Sequence, residues 1–245
     1  MSDPLPKPEL PITGSMPFLD HLEELRRRLL KSLLSVVATT GAAFYFAHDI
    51  MRFIVAPLGD TRLHVTQVTG SFYAFLVVSL IAGLVVSSPI VFYQLWSFVG
   101  PGLYPREKAR VLPLMLVSTL LFLAGAAFCY LIVLPFSLKF LIGFSGDLFS
   151  PIITVGSYLT FAGTMMLAFG LGFELPVAAY FLGRIGIVSS RVMSRGRRYA
   201  VVLILIAAAI LTPTPDVATQ FMLAGPLYFL YEVSIIVVKL TGARK

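Results

Sequence analysis

The chain has 245 residues, 58% of them hydrophobic and 13% charged, with a mean hydropathy of +0.89. A soluble domain carries roughly 45–50% apolar and ~25% charged residues, so this composition excludes a water-soluble globule. The net charge of +7 does not indicate a nucleic-acid binder, because such proteins gather their basic residues on a polar domain and none exists here.

Residues 1–14 contain Pro4, Pro6, Pro8 and Pro11 and read as a disordered tail. Over residues 15–28, Phe18, Leu22, Leu25 and Leu29 recur at helical spacing, which predicts a cytoplasmic amphipathic helix lying at the interface. Ser15 suits its N-cap, and Pro17 is tolerated in its first turn. Glu24 falls nearly opposite Leu22, towards the cytosol. It is open to two readings, a solvated residue paired with Arg28 one turn on, or a functional acid.

A helix needs about 20 apolar residues to cross ~30 Å of hydrocarbon. Division at charges and Pro/Gly clusters gives an all-α polytopic membrane protein with a six-helix domain over 29–238, its spans at 29–47, 71–95, 111–134, 157–182, 199–212 and 217–238. Residues 239–245 form a tail. The fifth span is short, and Pro213, Thr214, Pro215 and Asp216 follow it, so the last two spans form a hairpin. Six spans put both termini on one side. Of the Lys and Arg residues, sixteen lie on the face holding the termini and the second and fourth connections, against Arg52, Arg62 and Lys139 on the other. The richer face is therefore cytoplasmic, giving an N-in/C-in topology. The first apolar run lacks a convincing cleavage site before His48, which argues against a removed signal peptide. No internal repeat suggests an inverted-repeat transporter.

In the connection from Trp96 to Arg110, Pro105 suits a helix start. Glu107 then falls in the first turn, where the helix dipole favours an anion, either as a simple helix-start acid beside Arg110 or as a functional one. Glu174 differs because it lies inside the fourth span, roughly 12 Å below the boundary. An ionisable group there costs at least ~2.5 kcal/mol unless it faces protein or water, so it reads as functional or partner-binding. The bland alternative is a protonated carboxyl bonded to a neighbouring helix. Pro176 frees the carbonyl of Gly172, and a kink is expected. Gln220 and Glu232 are the polar residues of the sixth span, Glu232 near its cytoplasmic end beside Tyr228 and Tyr231. Cys129 stands alone in an apolar run, excludes an intrachain disulfide and reads as a packing residue. His21, His48 and His64 fall outside the spans and supply no intramembrane metal site. No cofactor is implied.

Several strings together resemble the TatC family, the multi-span component of the twin-arginine protein translocase. They are FLDHLEELRRRL (18–29), APL (56–58), SPIVFYQLWSFVGPGLYPRE (88–107), AFGLGFELPV (168–177) and LTPTPDVATQ (211–220), in family order over about 200 residues. The last carries one residue more than the commoner T-P-P-D form. The resemblance implies a receptor and core subunit of the bacterial inner membrane that makes and breaks no bonds. It would bind twin-arginine signal peptides of folded cargo through Glu24 and Glu107, with Arg26, Leu103 and Tyr104 beside them. It would also assemble with the single-span proteins TatA and TatB and with further copies of itself, and use the proton motive force. Glu174, Gln220 and Glu232 would be its polar intramembrane and partner-binding residues, and Pro57, Pro101, Pro176 and Asp216 its structural positions.

Other readings are weaker. Glu23-Glu24 with Arg28 fits the E-E-x-x-x-R element of CAAX-type intramembrane proteases and Phe44 to His48 fits F-x-x-x-H, but no later histidine completes a metal site. No serine–histidine pair suits a rhomboid-like mechanism. The Arg26–Lys31 run itself looks like a twin-arginine signal, yet the five later spans make it a topology anchor. A proton-coupled transporter or channel using Glu174 is the alternative from another class.

Overall fold

The structure, a computed structural model, describes residues 18–59, 61–99, 111–144, 152–212 and 216–241. The predicted tail over 1–14 and the positions Pro101, Leu103, Tyr104 and Glu107 lie outside the described residues. Among those described, the elements are helices, and the one extended pairing is an isolated parallel bridge between His64 and Thr154.

The first helix, α1, runs unbroken from Phe18 to Tyr45. A separate interfacial helix before the first span was expected, but no Pro or Gly interrupts 18–40, so the two segments fuse. Its 28 residues extend about 42 Å, some 12 Å beyond a ~30 Å hydrocarbon core. The orientation also differs from the amphipathic reading. Leu22, Leu25, Leu29, Leu33 and Val37 are all exposed, whereas His21, Glu24 and Arg28 form the less exposed row. The polar side faces protein and the apolar side faces outward.

α1 breaks at Phe46, and α2 (Ala47–Val55) continues into a 3-10 turn, Ala56–Leu58, at 87° to it. Pro57 has no N–H to give the Phe53 carbonyl. The Tyr130 hydroxyl donates to that oxygen at 2.7 Å, and the buried Tyr158 hydroxyl donates to the next carbonyl, Ile54, at 2.5 Å. Side chains from two other spans thus complete the hydrogen bonding of this bend.

α3 (Gly70–Val99) lies along α1. A Cβ on Gly83 would stand 2.8 Å from the Thr40 backbone, so only glycine admits this crossing, and the Thr39 hydroxyl donates to the Gly83 carbonyl at 2.9 Å. α4 (Val111–Phe128), a π turn (Cys129–Val133) and α5 (Leu134–Phe144) make one long span, extending past the predicted end at 134. The wider π turn lies just before Pro135, whose missing N–H interrupts the α ladder. α6 (Val155–Gly172) and α7 (Leu175–Arg184) share the fourth span. The short α8 (Ser190–Arg195), α9 (Arg197–Leu211) and α10 (Val217–Thr241) complete the chain.

Among the described residues, four stretches are long and apolar enough to cross a membrane, and the bent pair of α1 and α2 supplies a fifth. α9, with 15 residues, reaches only about 23 Å and is the short fifth span in chain order. The main core joins Val78, Leu134, Tyr158, Leu159, Met165, Phe169 and Leu223. A smaller cluster of Phe92, Trp96, Phe122 and Val177 lies where α3, α4 and α7 meet, beside Glu174.

Candidate binding sites

The first site is the start of α1. Asp20, Glu23 and Glu24 line a cleft of about 360 Å³ with Arg27. Asp20, Glu23 and Arg27 are exposed, but the Glu24 side chain is only 11% accessible, so it is not the cytosol-facing residue its position opposite Leu22 predicts. Arg28 Nε and Nη2 both bond Glu24 Oε1, at 2.8 and 2.6 Å, and Arg28 Nη1 donates to Gln94 Oε1 at 3.4 Å. His21 stacks on Phe98 with centroids 4.5 Å apart. α1 is thereby tied to the end of α3, the helix that leads into the connection carrying Leu103, Tyr104 and Glu107. Glu24 Oε2 is buried with no hydrogen-bond partner among the described residues. A buried acceptor left unmade is costly, so this oxygen favours an incoming donor. Arg26 is exposed and does not line the cleft.

The second site centres on Glu174. The fourth span is interrupted at Phe173–Glu174, and Pro176 sits in the first turn of α7, as the missing Pro N–H requires. The space a side chain would need at Gly170 is filled by Phe122, and at Gly172 by Leu227, so the helices close tightly around the break. The Glu174 side chain makes no capping bond. Its carboxyl is instead hydrogen-bonded to Ser118 of α4, whose hydroxyl also accepts the Trp96 indole N–H at 2.9 Å. Glu174 Oε1 remains buried and without a hydrogen-bond partner among the described residues. Two residues on in the chain, Pro176 and Val177 join Val117, Leu121, Tyr180 and Val237 in lining an apolar cleft of about 480 Å³. An acceptor in apolar surroundings suits a polar side chain on a helix that fills the cleft.

Ser118 and Trp96 were not singled out in the sequence. Ser118 lies in an apolar predicted span, eleven residues beyond the 88–107 string, and carries no periodic signal, while Trp96 lies within that string without a role of its own.

Gln220 and Glu232 do not join this site. They are about 18 Å apart along α10, and each is engaged within the chain. Gln220 Nε2 donates to the Leu205 carbonyl at 2.9 Å. Glu232 takes a two-pronged bond from Arg197, at 2.8 and 2.9 Å, and one from the Tyr228 hydroxyl at 3.1 Å. Asp216 Oδ1 accepts the Thr219 N–H at 2.6 Å, capping α10. These residues tie α9 to α10 or start the helix.

With that geometry in hand, the comparisons are consistent with one another. The family model described as Sec-independent protein translocase protein (TatC) matches residues 20–226. A TatC of Desulforapulum autotrophicum is 40% identical over 234 residues, covering 94% of this chain and 86% of its own. One of Aquifex aeolicus is 38% identical over 236 residues, covering 94% and 98%. A crystal structure of the twin-arginine translocase receptor TatC superposes with a TM-score of 0.81 at 38% identity, covering 90% of this chain and 99% of that one. A shared architecture over about nine-tenths of both chains, together with a family model that spans residues 20–226, leaves one conclusion: the chain belongs to the TatC family of Sec-independent protein translocase proteins.

Proposed function

We propose that this translocase subunit is the receptor for twin-arginine signal peptides, with Glu24 and Glu107 as the carboxylates that receive the two guanidinium groups. The observation that carries this reading is the acid-lined cleft at the start of α1 with the unpartnered Glu24 Oε2. Arginine presents a planar fork of donors that a carboxylate accepts two at a time, whereas lysine is a point charge, so placed glutamates distinguish Arg-Arg from Lys-Lys. Leu103 and Tyr104 stand near the second carboxylate in sequence, and Arg26 near the first.

The excess of Lys and Arg on one face orients that face, with both termini, to the cytoplasm of the bacterial inner membrane. Glu174 and its apolar cleft receive a polar-bearing single-span partner, TatA or TatB, and the α9–α10 hairpin borders the same assembly. Several copies of the chain work together, movement is driven by the proton motive force, and the subunit itself makes or breaks no covalent bond. Expression in cells lacking their own TatC tests the proposal. Restored export of an Arg-Arg reporter, and not of its Lys-Lys form, is the expected result. Insertion of the protein without any restored export would count against it.

A further inference from the structure

Away from both sites, α8 and the end of α10 enclose a cleft of about 390 Å³ lined by Ser190, Arg191, Ser194, Arg195, Ile235 and Lys239. Ser190 and Ser194, and Arg191 and Arg195, are each four residues apart and stack on one side of the short helix. Lys239 closes the cleft from α10. α8 is held against α10: the Tyr231 hydroxyl of α10 donates to the Met193 carbonyl of α8 at 2.8 Å, and Ser189 Oγ caps the start of α8 by accepting the Val192 N–H at 3.3 Å.

Positive charge at the end of a span is ordinary, and orientation alone accounts for scattered Lys and Arg. This group differs in two respects. No acidic side chain lines the cleft, while the next cation along, Arg197, is already held by Glu232. Its three cations also converge with two hydroxyls on one volume, a donor set that matches the oxygens of a phosphate. Exposed apolar residues adjoin the lining residues in the chain. Ile236 and Leu240 on α10, and Ile187 and Val192 around α8, are exposed, which a free phosphate would not use but the glycerol backbone and acyl chains of a lipid would.

We propose that the α8–α10 cleft binds the phosphate of one anionic phospholipid, with Arg191, Arg195 and Lys239 as charge partners, Ser190 and Ser194 as hydroxyl donors, and the lipid chains lying along Ile236 and Leu240. This site is independent of signal-peptide recognition. The lipid pins α8, and with it the start of α9, to the membrane surface.

Native mass spectrometry of the full chain released from detergent tests it, with phosphatidylglycerol, phosphatidylcholine of the same chains, and inorganic phosphate as probes. One phosphatidylglycerol is expected to be retained about tenfold more strongly than phosphatidylcholine. The triple variant Arg191→Gln/Arg195→Gln/Lys239→Gln should fall to the phosphatidylcholine level, while Arg198→Gln, one residue outside the clamped Arg197, stays within about twofold of the parent. Equal retention of the two lipids, or a triple variant that keeps its phosphatidylglycerol, would overturn the proposal. Displacement of the lipid by millimolar inorganic phosphate would also overturn it, and would mark a soluble-anion site instead. If the triple variant does not fold, photo-crosslinking of headgroup-labelled phosphatidylglycerol to the parent chain decides the matter. Label on peptides spanning 187–196 and 235–240 supports the site, and label confined to 26–31 refutes it.

Discussion

The Trp96 indole donates its N–H to the hydroxyl of Ser118 across 2.9 Å in a buried position. That serine in turn bonds the Glu174 carboxyl, so one side chain joins α3, α4 and the break in the fourth span. Ser118→Ala should leave an indole N–H and a carboxylate short of a partner and lower stability by roughly 0.5–2 kcal/mol. Because Trp96 is the only tryptophan, its emission spectrum in micelles reads the same event. Thr119→Ala, whose hydroxyl bonds the Met115 carbonyl of its own helix, should leave that spectrum close to the parent's.

At the α1–α3 crossing, Gly83→Ala places a methyl group against the Thr40 backbone. Backbone cannot swing aside as a side-chain end does, so the helices must part, and a loss of about 1–3 kcal/mol is expected in denaturant unfolding. Gly143→Ala, with no neighbour within 4 Å of the added methyl among the described residues, serves as the contrast and should cost far less.

The Arg197–Glu232 pair links the first residue of α9 to the second half of α10. Glu232→Arg is expected to lower the thermal midpoint by setting two cations against each other. The exchange Arg197→Glu/Glu232→Arg should recover part of the loss. A midpoint that falls further in the exchanged form would show that the contact does not hold the hairpin.

α9 spans about 23 Å, shorter than a ~30 Å hydrocarbon core, and the mismatch is relieved most simply by local thinning of the bilayer. Depth-resolved spin labels on lipids around the reconstituted protein should report a thinner membrane beside α9 and α10 than beside α3. Uniform thickness around the protein would contradict this.

Much of this fold is legible in the sequence because long apolar runs admit few alternatives. The six helical runs, the short fifth one, and the break before Pro176 all follow from hydropathy and from residues that cannot donate a backbone bond. The boundary errors have a common origin. Charges and prolines mark the ends of spans in the sequence, but α1 passes through Arg26, Arg27 and Arg28 because nothing in its backbone chemistry stops it, and the third span passes Pro135 by way of a π turn. The facing of α1 departs from the sequence expectation for a related reason. A stripe of leucines marks the outside when the surroundings are lipid, so the polar row of His21, Glu24 and Arg28 turns inward, the reverse of a helix in water. At the Glu174 site the acid was visible as an anomaly of depth, while its partners Ser118 and Trp96 are brought to it by tertiary packing. The internal engagement of Gln220 and Glu232 depended likewise on the approach of α9 to α10.

The claim that matters most is that the carboxylates at the start of α1 and in the following connection read paired arginines. A signal peptide carrying a photo-crosslinker beside its arginine pair, presented to membranes containing the chain, measures this directly. Crosslinking to the parent chain should favour Arg-Arg over Lys-Lys by about tenfold, fall strongly in Glu107→Gln and less in Glu24→Gln, where Arg28 and Gln94 still order the helix end, with both variants inserted at parental levels. Equal crosslinking of Arg-Arg and Lys-Lys signals, or parental crosslinking in both variants, would contradict the account.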